Sequence, residues 1–172
     1  MKQIEILQDD ANQRLDKFLL KMFPDLSRSL MYKAIRNKKI KVNRKRCTYD
    51  QVLNKGDIVL LFLPPQFLNE KQRESNFISN QLDVIYEDEN ILIVNKPVGL
   101  LSQSDTSQTQ DTLVSRIQGY LYEKNEYDPN NAHSFAPGIC NRLDRNTRGL
   151  VIAAKNANAS RIINEAIAQR RI

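Results

Sequence analysis

Residues 64–81 break the chain's hydrophobic patterning and so decide what it can fold into. Pro64-Pro65 resists regular structure, and residues 69–76 are polar with no apolar period. Apolar periodicity is clear before the break and resumes after it. The 172 residues, 41% of them hydrophobic, suffice for one medium domain or two small ones, and the break favours two. The expected organisation is a module over 12–63, a linker over 64–81 and a second domain over 82–172, with no internal repeat.

Charge divides along the same line. The formal net charge is +6, but between Asn12 and Leu63 thirteen cations face four anions. That module therefore carries +9 and the remainder −3, which favours a polyanionic partner for the module. A membrane surface fits less well, because no segment is long and apolar enough to span a bilayer. Residues 1–7 lack the apolar run of a secretory signal, so the expected location is the cytosol. Cys47, Cys140 and the single histidine His133 show no metal-ligand spacing. Both cysteines read as reduced thiols, and no zinc or other metal site is expected.

Within the module, Leu15, Phe18, Leu19 and Met22 recur at helical spacing, with Asn12 available as N-cap and Pro24 past the end. Ser27 can cap a second helix with Leu30, Met31, Ala34 and Ile35 on its apolar stripe. Arg28, Tyr32, Lys33 and Arg36 then fall on the polar side. Ile40-Lys41-Val42 alternates like a half-buried strand, Asn43-Arg44 reads as a turn, and Gly56-Asp57 leads into a strand over 58–63.

In the second domain, residues 84–86 and 91–94 read as a hairpin around the polar turn 87–90. Asn95-Lys96-Pro97-Val98-Gly99 ends it, since Pro97 has no N–H and Gly99 permits positive φ. The polar stretch 102–111 is either an active-site loop or a plain connection. Residues 150–154 read as a short buried strand. The stretch 157–170 reads as an amphipathic helix that packs against the sheet, with Ile162, Ile163, Ala166 and Ile167 on one side.

Just before that strand stands Asn141-Arg142-Leu143-Asp144-Arg145-Asn146-Thr147-Arg148-Gly149-Leu150. One carboxylate, Asp144, lies in sequence among three arginines. Cationic neighbours favour the ionised form of an acid, which suits a nucleophile acting on a polyanion. An aspartate flanked by arginines is also commonly a surface ion pair of little energetic consequence.

The decapeptide resembles the central motif of the RluA/RluD-like pseudouridine synthases, approximately His-Arg-Leu-Asp-Lys/Arg-Asp-Thr-Ser-Gly-Leu. The 83–100 segment, ending Asn95-Lys96-Pro97-Val98-Gly99-Leu100, resembles the opening of the same catalytic domain. Arg14-Leu15-Asp16-Lys17, Ser27-Arg28-Ser29, Lys41-Val42-Asn43 and Lys55-Gly56-Asp57 resemble the S-four-type RNA-binding domain. The implied fold class is α+β, a basic helix-helix-strand module followed by the first part of a mixed-sheet synthase domain. The implied activity is isomerisation of uridine to pseudouridine in structured RNA, most naturally large-subunit ribosomal RNA. Asp144 would be the catalytic nucleophile, with Arg142 beside it steering the flipped nucleotide. Arg14, Arg28, Ser29, Tyr32, Lys33, Arg36 and Lys38 would contact RNA. No cofactor and no metal is implied.

Asn141, Asn146 and Arg148 depart from the family pattern, the last placing a long cation where a serine is usual. The resemblance covers only the first part of the family's catalytic domain, whose base-stacking tyrosine and later basic residue lie further on. The chain is accordingly expected to be a fragment or the product of a truncated gene. A non-catalytic RNA-binding protein is the alternative.

Overall fold

Leu15, Phe18, Leu19 and Met22 are all buried on one side of helix α1 (Leu15–Met22), as their spacing predicts. The computed structural model describes residues 1–70, 81–104, 111–130 and 132–172. The chain divides into two units, Met1–Gln72 and Arg73–Ile172.

The first unit opens with strand β1 (Lys2–Glu5), an element its four residues give no sign of in sequence. Helix α1 departs from expectation at its start. Asn12 is not the N-cap; it sits in the left-handed region at φ 58°, and Arg14 takes the cap position without a side-chain capping bond. The reason lies elsewhere in the chain. The Leu15 and Asp16 N–H groups donate to the carbonyls of Gln51 and Tyr49, at 2.8 and 2.9 Å. Distant backbone thus satisfies the donors a cap would serve. Ser27 does cap helix α2 (Arg28–Arg36), its hydroxyl accepting from Leu30 N. Met31 and Ala34 are buried beneath that helix, with Leu30 and Ile35 half-buried beside them.

Strands β2 (Ile40–Val42), β3 (Lys45–Arg46) and β4 (Ile58–Leu61) complete an antiparallel sheet in the order β1-β4-β2-β3. Asn43 and Arg44, at φ 51° and 62°, form the two-residue turn that joins β2 to β3. Two consecutive left-handed residues match the right-handed twist of a hairpin. The break at 64–81 begins differently from a free linker. Pro65–Phe67 makes a 3-10 turn, and Phe67 and Leu68 pack against the first core. Residues 71–80 of that stretch lie outside the described residues.

Helix α2 ends on an unexpected residue. Lys38 N–H donates to Ile35 O at 3.0 Å and Lys39 N–H to Ala34 O at 2.9 Å, with Lys38 at φ 59°. This is a Schellman cap, whose left-handed position usually holds glycine. A side chain there costs about 1 kcal/mol. Lys38→Gly is therefore expected to stabilise the first unit by about 0.5–1 kcal/mol, read as a higher urea midpoint with unchanged slope; a lower midpoint would contradict the cap.

In the second unit, strand β5 (Val84–Glu87) pairs antiparallel with β6 (Ile91–Lys96), and the Asp88 carboxylate closes their turn by accepting from Asn90 N and Ile91 N. Helix α3 (Leu113–Glu123) follows, capped reciprocally by Thr112 and Ser115. Strands β7 (Gly138–Ile139) and β8 (Gly149–Ala154) give the order β5-β6-β8-β7, and helix α4 (Ala157–Ala168) ends the unit. The class is α+β. The strands of this unit pair antiparallel, and among the described residues an isolated parallel bridge joins Leu101 to Thr112.

Leu92 and Val94 of β6, Val151 and Ala153 of β8, and Leu113, Ile117 and Leu121 of α3 form the second core. Helix α4 uses its apolar stripe less than expected. It buries Ala159 and Ala166, whereas Ile162 is 55% exposed.

A polar cluster ties this unit's elements together. Glu87 accepts from the Tyr120 hydroxyl at 2.7 Å, Lys124 at 2.6 Å and Lys155 at 2.9 Å, and Lys155 also pairs with Glu126. Burial alone would raise the Glu87 carboxyl, but the bonds from Lys124, Tyr120 and Lys155 outweigh it and hold it at about 2. A carboxylate held below its ordinary value stabilises the fold fully above that value, 4.5, and loses the contribution as pH falls towards about 2. Glu87→Gln is expected to flatten the acid limb of stability between those values. A limb as steep as in the parent would show that Glu87 does not carry it.

Candidate functional site

Asp144 lies on the loop between β7 and β8, and its carboxylate is exposed. The loop carrying it is tightly fixed. Thr147 N–H donates to Asp144 O at 3.0 Å, closing a turn at the motif's centre. Before that turn, the Ser102 hydroxyl donates to Leu143 O at 2.6 Å and accepts from Leu143 N at 3.3 Å. After it, Arg145 and Gly99 bond reciprocally. Gly99 N–H reaches Arg145 O at 2.8 Å, and Arg145 Nε reaches Gly99 O at 3.0 Å. Gly99 has φ 89°, the left-handed geometry glycine tolerates, which makes this close return possible.

Beneath the loop is a residue that sequence reasoning treated only as the end of a strand. Lys96 is fully buried. It continues the inward face of β6, two residues beyond Val94 and four beyond Leu92, so strand alternation drives it into the core. Its ammonium donates to Leu100 O at 2.8 Å, Pro97 O at 3.1 Å and Arg145 O at 3.2 Å. Burial lowers the Lys96 ammonium from its ordinary value, and the Asp144 carboxylate pulls it back up. Opposite Lys96 in the sheet stands Gly149, where a Cβ would come within 3.2 Å of Leu143 Cδ1.

The three arginines do not close around Asp144 as their spacing suggested. Among the described residues no ion pair joins Asp144 to Arg142, Arg145 or Arg148. Arg145 turns back to Gly99, Arg142 is exposed, and Arg148 lines a cavity of about 760 Å³ with Asp83, Asn95, Pro97 and Arg116. Asn141 replaces missing backbone partners, accepting from Ile152 N at 2.8 Å and donating to Leu150 O at 3.3 Å. Burial raises the Cys140 thiol above its ordinary value, against a smaller lowering by the Ala154 backbone. Of the stretch 102–111, residues 105–110 lie outside the described residues.

In the first unit, Arg28, Ser29, Tyr32, Lys33 and Arg36 are exposed together on α2, with Lys38 on its cap. Arg14 is held by both oxygens of Asp16, at 3.1 and 2.8 Å, and stands 5.5 Å from the Tyr49 ring centroid. Tyr49 in turn meets Tyr32 edge to face, with centroids 5.1 Å apart. Tyr49 was not among the residues singled out in sequence; an aromatic between Thr48 and Asp50 in a loop gives little signal by itself. Among the described residues, no group of three His, Cys, Asp or Glu is placed to hold a metal, and no helix is long and apolar enough to cross a membrane.

A basic helix-and-hairpin unit followed by a sheet that fixes one exposed aspartate defines a class. Residues 13–59 match the S4 domain and residues 90–172 the RNA pseudouridylate synthase family, so the chain joins an S4 domain to a segment of that family. It is 42% identical over 168 residues to an uncharacterized RNA pseudouridine synthase of Mycoplasma capricolum, covering 96% of this chain and 54% of that protein. A counterpart from Aquifex aeolicus is 32% identical, covering 94% of this chain and 50% of that one. Ribosomal large subunit pseudouridine synthase D of Escherichia coli K12 is also 32% identical, covering 97% of this chain and 48% of its own length. The chain thus spans about half the length of the curated relatives it matches.

Proposed function

We propose that this chain is the RNA-docking and nucleophile-bearing part of a pseudouridine synthase acting on structured RNA, with large-subunit ribosomal RNA as substrate. The observation that carries the reading is the immobilised loop. Lys96, Gly99 and Ser102 hold the backbone on both sides of Asp144 while leaving its carboxylate exposed. A nucleophile needs that combination of fixed position and open approach. The substrate class follows from the family match and from the E. coli relative's name.

Uridine and pseudouridine are isomers. The N1–C1′ bond breaks, a C5–C1′ bond forms, and the C5 proton is lost as N1 gains one. No oxidant, reductant or group donor enters that balance, so the chemistry asks for no cofactor. Asp144 attacks the sugar of a nucleotide flipped out of its helix, and Arg142 steers that nucleotide into place. Extrusion is costly, and the +9 charge over residues 12–63 offsets it by holding the RNA through Arg14, Arg28, Ser29, Tyr32, Lys33, Arg36 and Lys38. In this reading 12–63 is the docking domain, 64–81 the connection and 82–172 the synthase portion, working in the cytoplasm.

The test is a pseudouridine map of ribosomal RNA from cells lacking the gene, complemented with these 172 residues. Restoration of a lost site supports catalysis by this chain. A site lost in the deletion and not restored would reduce the chain to an RNA-binding role.

A further inference from the structure

Helix α2 and the loop after β3 enclose an open cavity of about 740 Å³, and its lining is chemically mixed. Tyr32 and Ile35 come from the helix, Tyr49 and Asp50 from the loop, and Arg36 and Arg46 stand among them. Tyr32 is 36% exposed and Tyr49 45% exposed, although large aromatic rings gain by burial. Their planes meet at 82°, so together they make an aromatic corner rather than a closed stack. Arg14 stands over the Tyr49 ring.

A pocket for phosphate alone would be lined by cations and donors. This one includes a carboxylate. Asp50 accepts a hydrogen bond from Thr48, which together with a backbone bond and Arg14 holds its carboxyl below the ordinary value. A carboxylate repels phosphate but accepts readily from an exocyclic amine. Apolar ring surface, a charged acceptor and flanking arginines describe a nucleotide site, with the base inside and the phosphates on Arg36 and Arg46. The surrounding charge of +9 excludes a basic or neutral partner as the better fit.

We infer that the corner formed by Tyr32 and Tyr49 receives a single unpaired base of the RNA, one bearing an exocyclic amine, with Asp50 reading its edge. This rests on the RNA reading of the first unit and goes beyond it. The docking domain then selects RNA by an extruded nucleotide, besides attracting its backbone.

Three hairpin RNAs of equal length decide it, measured against the full 172-residue chain by fluorescence anisotropy: one with a bulged adenosine, one with a bulged uridine, one fully paired. The parent chain is expected to bind the bulged-adenosine hairpin about tenfold more tightly than the paired one. Tyr49→Leu should lose that preference while keeping its affinity for the paired hairpin, and Tyr49→Phe should retain it. Asp50→Asn, a change at an exposed position, should shrink the discrimination between adenosine and uridine without weakening binding to the paired hairpin. Equal binding of all three hairpins by the parent chain would overturn the pocket and leave the RNA reading standing. Failure to bind any of them would overturn both.

Discussion

Exchanging Asp144 for asparagine is expected to abolish pseudouridine formation, a loss of at least about a thousandfold, with RNA affinity unchanged and the melting temperature lowered only slightly by loss of its attraction for the Lys96 ammonium. The geometry makes the experiment clean. Asp144 uses its backbone carbonyl, not its carboxylate, to close the turn to Thr147. No arginine depends on it for an ion pair among the described residues. Asparagine therefore removes a negative charge and the proposed nucleophile while preserving shape. Modification surviving in Asp144→Asn, mapped at the site that the parent gene restores, would remove Asp144 from the mechanism. Loss of RNA binding with an intact fold would contradict the division of labour between the two units.

Lys96→Met should have the largest effect on folding, about 2–4 kcal/mol lost from the second unit. Methionine fills nearly the same space but cannot donate, leaving the carbonyls of Leu100 and Pro97 without that ammonium and Arg145 O with the Gly99 N–H alone. Two effects oppose. Burying an ammonium is costly, and methionine relieves that cost. The three charge-assisted bonds are lost, and acceptors held inside the fold are abandoned, which weighs more. Chemical denaturation followed at the second unit would read the loss. A gain in stability would show that desolvation dominates and that the lysine is kept for the site rather than for the fold.

The sequence pattern reveals some of this architecture and hides the rest for identifiable reasons. The buried faces of α1 and α2 are legible because Leu15, Phe18, Leu19 and Met22, and then Met31 and Ala34, repeat at helical spacing. The Asn12 cap misleads because the Gln51 and Tyr49 carbonyls already serve the first turn. Strand β1 is hidden because its partner, β4, lies more than fifty residues away. Helix α3 has a readable spacing in Leu113, Ile117 and Leu121, yet Gly119 and the polar run before Thr112 obscure it.

At the site, position in sequence shows Asp144 but not its surroundings. Arg142, Arg145 and Arg148 are neighbours along the chain, and a turn sends their side chains to different places. Lys96 escapes notice because a lysine before proline reads as the end of a strand. Extending the two-residue alternation of β6 by one more step puts it in the core.

The Lys96 tether also has a kinetic consequence. Loops that carry reactive groups ordinarily open on their own, with free energies far below that of global unfolding. Here the segment around Asp144 is bonded to an ammonium that belongs to a central strand, and to the glycine turn that the same strand feeds. Releasing the loop means pulling a charge out of the core or unzipping β6 from β8. The backbone that carries Asp144 is therefore as long-lived in place as the sheet beneath it, and in the proposed reaction it is the nucleotide that adapts to it.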